Sequence, residues 1–240
     1  MTAAASNPID APGTDEKTWR AWAELDRLPA IDISAWRSAV VIAAHPDDEV
    51  LGAGATVCLL AAAGARLRLI SITDGEASHP GGAEVLAQRR LGETAAALRV
   101  LGAHTAEVIR LRLPDTGLAG RESEITGQLR NLTSGFDAVL APWDQDVHAD
   151  HEAAGRAARS ASQRTLFYPV WMWHWAFPGD PRVPWDRAMR VPLTPWAAGL
   201  KRRAIGCFAS QLENRPAGAG PVLAPGTVAH FTRAQEVFFR

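Results

Sequence analysis

Short apolar, β-branched runs alternate with alanine-rich helical stretches along most of this chain, and that alternation limits the folds open to it. Ala39–Ala44 (AVVIAA), Leu67–Thr73 (LRLISIT), Glu107–Leu113, Asp137–Ala141 and Thr165–Val170 (TLFYPV) read as strands. Val50–Ala63, Glu84–Leu101, Glu122–Ser134 and His151–Gln163 read as helices between and after them. Apolar strands separated by helices predict an α/β fold with a mainly parallel sheet covered on both faces. Ligands in such sheets bind beyond the carboxyl ends of the strands, so the residues just after each strand carry the functional information. Upstream, Asp15–Leu28 reads as a short helix with Trp19 and Trp22 on one face, and residues 1–14 as a flexible N-terminal segment. Residues 15–240 then form one domain, a length that a single core can fill when 47% of the 240 residues are hydrophobic. The Pro/Gly-rich stretches 177–195 and 214–226 read as long loops of the kind that serve as lids or substrate walls.

Charge and cysteine usage narrow the function classes. Lys+Arg number 25 against 26 Asp+Glu, which gives no electrostatic reason to expect nucleic acid or an anionic membrane surface as a partner. Cys58 and Cys207 lie far apart in apolar settings and read as buried free thiols rather than a disulfide framework. The N-terminal residues lack a basic segment followed by an apolar one, and no apolar run is long enough to span a bilayer. The expectation is a cytoplasmic protein acting on a small molecule, with no membrane span.

Two clusters of ionisable residues stand at predicted strand ends. The first, His45-Pro46-Asp47-Asp48-Glu49, follows AVVIAA and places an imidazole and three carboxylates where an apolar strand meets a helix. Burying that much charge without a partner is costly, so a metal or catalytic role is favoured. Imidazole and carboxylate are usual zinc ligands, and His45 and Asp48 are spaced to share one side of a tight turn while Asp47 stays free as a general base. The competing reading is that Asp47 and Asp48 merely cap the following helix. The second cluster follows the fourth strand: Asp144-Gln145-Asp146-Val147-His148-Ala149-Asp150-His151, two histidines three apart interleaved with acids. A catalytic zinc keeps three protein ligands and an open position. His45, Asp48 and one of His148 or His151 satisfy that count.

With these residues in place the sequence resembles the LmbE-like, or PIG-L, family of zinc-dependent de-N-acetylases. Ala44-His45-Pro46-Asp47-Asp48-Glu49 matches that family's first signature, and His148-Ala149-Asp150-His151 resembles its second, with Ala149 where proline is common. Thr73-Asp74-Gly75-Glu76, Arg90-x-x-Glu93, Leu113-Pro114-Asp115 and Lys201…Ser210-Gln211 extend the similarity. The resemblance implies a Rossmann-like three-layer fold and a Zn2+ ion, or another divalent transition metal, held by His45, Asp48 and His151. It implies Asp47 as general base, His148 as electrostatic or acid partner of the tetrahedral intermediate, and Asp150 tuning His148 or His151 from behind. It also implies that Arg90 and Asp115 contact substrate hydroxyls. For these two, a helix ion pair with Glu93 and a turn position are the competing structural readings.

The implied activity is removal of an N-acyl group, acetyl above all, from an amino-sugar-like small molecule. A zinc amidase acting on a peptide-like or antibiotic glycoconjugate is the alternative, and a non-catalytic relative is disfavoured because every expected catalytic position is filled. A nucleotide-binding reading of Gly52-x-Gly54 lacks the third glycine and puts acids where phosphate would sit. Trp171, Trp173 and Trp175 alternate along a segment that, if extended, presents three indoles on one side as a sugar-stacking wall, a core patch or a contact in a homo-oligomer. His79 follows the second strand and is placed at the mouth of the site, whereas His104 and His230 read as ordinary surface or loop residues.

Overall fold

Five of the seven strands in the sheet are those the apolar runs predict. A computed structural model describes residues 8–9, 11–215 and 218–240. Residues 1–7 and 10, part of the segment expected to be flexible, lie outside the described residues, as do 216 and 217 of the second predicted loop. Within residues 11–14 the backbone is tied down: Thr14 N donates to His174 O at 2.8 Å, and its hydroxyl donates to Ala176 O at 2.6 Å.

In chain order the elements are α1 (Glu16–Arg20), α2 (Glu24–Arg27), β1 (Ser38–Ala43), α3 (Asp48–Ala62), β2 (Arg66–Thr73), α4 (Ala83–Val100), β3 (Glu107–Leu113), α5 (Glu122–Thr133), β4 (Ala138–Pro142), α6 (Ala149–Ala161), β5 (Thr165–Tyr168), α7 (Met172–Trp175), β6 (Ala188–Pro192), α8 (Pro195–Ile205), α9 (Ala209–Leu212), α10 (Pro225–Ala229) and β7 (Gln235–Phe239). The strand order is β3-β2-β1-β4-β5-β7-β6. β1 pairs in parallel with β2 and β4, β2 with β3, and β4 with β5. β7 runs antiparallel to both β5 and β6. The protein is thus an α/β fold on a mostly parallel sheet. The chain leaves β1 toward β2 and β3 on one side and reaches β4 and β5 on the other. The crevice at the carboxyl ends of β1 and β4 is therefore the place where such a sheet accepts a ligand.

β1 and β4 are buried along their whole length, as strands covered on both faces must be. α3 is buried almost all round, which explains why its sequence is apolar without a polar stripe. Gly52 lies where α3 meets β5: a Cβ there would fall 2.0 Å from the Tyr168 ring. Tyr168 in turn donates its hydroxyl to Ile42 O at 2.6 Å, locking β5 to β1. Gly52 is therefore a packing residue, and no phosphate loop needs to be invoked for it.

Three sequence expectations differ from the structure. The predicted helix Asp15–Leu28 is broken into α1 and α2, with Trp19 and Trp22 still 6.1 Å apart and both against Trp185. The predicted loop 177–195 contains β6, and β7 follows near the C-terminus. Each is five residues long with charge or proline inside, too short for a period to stand out. The tryptophan segment is a helical turn, not an extended strand, so its indoles diverge. Trp173 packs edge-on to Trp19 at 5.0 Å, Trp175 stacks on Trp143 at 6.4 Å, and Trp171 faces the main cavity. Among the described residues no helix is long and apolar enough to cross a membrane. Cys58 is buried, Cys207 half-buried, and both are free thiols.

Candidate active site

β1 and β4 end side by side, and each runs through a short turn into the next helix. The two acid–histidine clusters occupy those turns. A cavity of about 530 Å3 opens over them, lined by His45, Asp47, Asp48, Arg90, Asp115, His148 and His151 together with Trp171. Asp150 lies behind this wall, buried. The eight residues singled out in the sequence therefore converge on one place.

The helix-capping alternative for the first cluster fails on contacts. Asp47 occupies the N-cap position of α3 but makes no side-chain capping bond. Its backbone is left-handed, φ 128°, a conformation that costs a non-glycine residue of order 1–3 kcal/mol and needs support from its surroundings. That support is on hand. Asp47 N donates to Glu49 Oε2 at 3.0 Å, and Arg90 donates to the Pro46 carbonyl and to Asp47 Oδ2, the latter at 3.2 Å. Arg90 also donates to Gly75 O at 2.9 Å. Gly75 must be glycine, because its φ is 66° and a Cβ there would lie 2.1 Å from the guanidinium. Arg90 is thus not paired with Glu93, whose carboxylate instead accepts from Ser210 N and Oγ.

Asp48 is the hub of the imidazoles. Its Oδ2 accepts from His45 N at 2.8 Å and lies 3.6 Å from His45 Nδ1, while its Oδ1 is 3.2 Å from His151 Nε2. Each imidazole is held from behind by other carboxylates. His45 Nε2 lies 3.1 Å from Asp115 Oδ1 and 3.2 Å from Asp150 Oδ2. His151 Nδ1 lies 2.8 Å from Asp146 Oδ2. Asp150 therefore orients His45, and the residue behind His151 is Asp146, to which the sequence reading gave no role. Asp146 is fully buried and also accepts from Val170 N, Trp171 N and Met172 N at 3.1, 2.9 and 2.8 Å. An acid five residues before a histidine across a turn is the only sequence signal it leaves. His148 differs from both: its Nδ1 is buried with no hydrogen-bond partner among the described residues.

The electrostatics follow from this packing. Burial works against a charged His45, yet Asp115, Asp150 and Asp48 hold it well above the usual imidazole range. Burial likewise opposes a charged His151, and Asp48 and Asp146 raise it to about 9. Asp48 is held well below the carboxylate range by His151 and His45 despite burial. Burial pushes Asp47 up to about 7 even with Arg90 against it, and pushes Glu49 up to about 8. Burial, with the two neighbouring imidazoles, drives His148 down to about 3. Four buried carboxylates thus enclose two imidazoles and call for positive charge between them. His45, His148 and His151 have ring nitrogens within 4.8 Å of one another, close enough to hold a metal ion.

A sequence profile for GlcNAc-PI de-N-acetylases matches residues 40–162, about half of the chain and both clusters. The chain belongs to this family, PIG-L. Among PIG-L-type relatives, the 1D-myo-inositol 2-acetamido-2-deoxy-alpha-D-glucopyranoside deacetylase of Streptomyces griseus is 37% identical over 206 residues, covering 72% of this chain and 62% of that protein. The corresponding deacetylase 2 of Catenulispora acidiphila is 36% identical over 156 residues, covering 53% and 51%. The chain spans about half the length of the curated relatives it matches. The crystal structure of a conserved protein from Thermus thermophilus superposes with a TM-score of 0.62 at 25% identity, covering 84% of this chain and 93% of that one.

Of the two predicted loops, 214–226 contributes Arg215 and residues 221–224 to the cavity wall, and 177–195 contributes nothing to it. His79 sits beside Ser78, its Nδ1 3.0 Å from the hydroxyl, and does not line the cavity itself. His230 is buried and not a surface residue: its Nδ1 meets Glu16 Oε2 at 2.8 Å in a cluster with Arg233.

Proposed function

We propose that this protein is a metal-dependent hydrolase that removes an N-acyl group, acetyl in the first instance, from an amino-sugar-like substrate, on a Rossmann-like three-layer scaffold. The observation that carries the reading is the orientation of two imidazoles. His45 and His151 each give one nitrogen to a buried carboxylate and turn the other toward Asp48. Carboxylate–histidine pairs of this kind fix the tautomer of a metal ligand and raise its basicity. His148 has no carboxylate behind it, so the ligand set is His45, Asp48 and His151, and His148 stays outside it. Two imidazoles and one carboxylate suit Zn2+, while other divalent transition metals accept the same donors.

When bound, the metal supplies the Lewis acidity that makes a water molecule acidic near neutral pH and polarises an amide carbonyl. Asp47, whose carboxyl is pushed up to about 7 by burial, holds the water proton at its carboxylate and later delivers it to the departing amine. His148 is neutral and donates one ring N–H toward the carbonyl oxygen as charge develops there. Arg90 and Asp115 both line the cavity and remain candidates for sugar hydroxyl contacts. Each has a second task, Arg90 in fixing Asp47 and Asp115 in orienting His45.

Acetate release from a panel of N-acetylated sugars, measured with and without added Zn2+, tests the reading. Asp47→Asn is expected to keep its metal and lose about 10²–10⁴-fold in turnover, the usual worth of a positioned base. Full turnover by that variant, or no acetate from any member of the panel, would overturn the proposal.

A further inference from the structure

Arg215 lines the same cavity as the imidazoles but belongs to none of their contacts. It is half-buried on the loop after α9. Its Nε donates to Gly220 O at 2.9 Å, and its backbone N donates to Ala219 O at 2.9 Å. Its terminal guanidinium nitrogens meet no carboxylate among the described residues. Glu213, two positions away, is already paired with Arg89 at 2.8 Å. Glu93 accepts from Ser210 and from Arg89. Pro216 and Ala217, which follow it, carry no acid. By contrast Arg90, the other arginine on the cavity wall, is committed to Asp47 and two carbonyls.

A guanidinium offers a planar fork of donors that matches a carboxylate or a phosphate in bidentate fashion. Left without an anion on a cavity wall, that fork is a cost to any neutral ligand that covers it. We propose that the cavity takes a substrate bearing an anionic group, a carboxylate or a phosphate, which Arg215 receives outside the carboxylate–imidazole cluster. Ser78 and Gln211 line the same cavity and carry no charge. The acid-rich floor would repel such a ligand if it bound the other way round. Arg215 therefore sets orientation as well as affinity, placing the anion away from the floor and the acylated amine toward it. The inference deepens the deacylase reading and relies on it only for the acyl end of the substrate.

Calorimetric titration separates the two. The probes are N-acetylglucosamine, N-acetylglucosamine 6-phosphate and N-acetylmuramic acid, titrated into the metal-loaded wild type, Arg215→Gln and Arg215→Lys. One of the two anionic sugars is expected to bind about tenfold tighter than the neutral sugar, the order of one charge-assisted hydrogen bond. The gap closes in Arg215→Gln, survives in part in Arg215→Lys, and narrows as salt is raised. Whether the phosphate or the carboxylate arm shows the gap identifies the group. Equal binding of all three sugars, or a gap that persists in Arg215→Gln, overturns the inference. An Arg215-dependent gap without acetate release leaves the anion site standing and removes the deacylase reading instead.

Discussion

Replacing Asp146 by asparagine changes one atom and tests the carboxylate-backed imidazole directly. The Asp146 carboxylate serves four donors: His151 Nδ1 at 2.8 Å, Trp171 N at 2.9 Å, Met172 N at 2.8 Å and Val170 N at 3.1 Å. His151 and Trp171 use Oδ2, while Met172 and the shorter Val170 bond use Oδ1. An amide keeps one acceptor oxygen and presents its NH2 at the other position. Either orientation leaves two buried donors facing a donor. At about 1–3 kcal/mol for each buried group left unsatisfied, the loss is about 2–6 kcal/mol. For a chain of this length each kcal/mol moves Tm by about 2–4 °C, so a fall of about 4–24 °C is expected by scanning calorimetry. His151 also loses the carboxylate that fixes its tautomer, which lowers metal affinity by about 10–100-fold, measured by competition with a chelator of known affinity. A variant that melts within about 2 °C of wild type and holds Zn2+ equally well would refute the assignment of Asp146 as the residue that positions His151.

Glu49→Ala removes the acceptor that holds Asp47 N, whereas Glu49→Gln keeps one. The alanine variant is expected to lose about tenfold or more in kcat with KM little changed and the glutamine variant to recover most of it, as steady-state kinetics would read. Glu16 accepts from His230 and Arg233 inside the core. Burial opposes its charge, yet these two partners hold its carboxyl below the ordinary glutamate value. A depressed carboxyl contributes stability above the unfolded pKa of about 4.3 and loses that contribution as pH falls through the folded value. Glu16→Gln should therefore destabilise by about 3 kcal/mol at pH 7, with the gap from wild type closing in acid, in urea melts taken across pH. Gly52→Ala forces a methyl group onto the Tyr168 ring and should cost about 1–3 kcal/mol or more, with loss of the Tyr168–Ile42 bond visible as faster exchange of the β1 amides.

Sequence alone made β1 through β5 and their helices readable because each is either apolar on both faces or long enough to show a period. β6 and β7 were not, since AMRVP and QEVFF carry their information in an antiparallel pairing made across more than forty residues. The tryptophans misled for a similar reason. Period two over MWHW fits a strand, but the backbone N–H groups of residues 170–172 are captured by Asp146, and the chain turns into α7. His45, Asp47, Asp48, His148 and His151 were legible because acids and imidazoles rarely gather at the end of an apolar strand without a task. What spacing could not reveal was which acid backs which imidazole. Asp150 lies one residue from His151 yet contacts His45, because its place on the first turn of α6 faces the end of β1 and the 115–118 turn.

That crossing of partners ties the site to the sheet. His45 leaves β1, but its ring is fixed by Asp150 from the start of α6 and by Asp115 from the turn after β3. His151 belongs to α6, and the Asp146 that fixes it also gathers the backbone that follows β5. Asp48 bridges both rings from the first turn of α3. No single loop contains the whole constellation, which exists only when β1, β3, β4 and β5 are held in register, with β2 between β3 and β1. A substitution that loosens β4 against β1 or β5 should therefore disturb metal affinity before it disturbs secondary structure. Conversely, a bound metal ion should stabilise the whole sheet rather than one turn, because what binds the native arrangement alone shifts the global unfolding equilibrium.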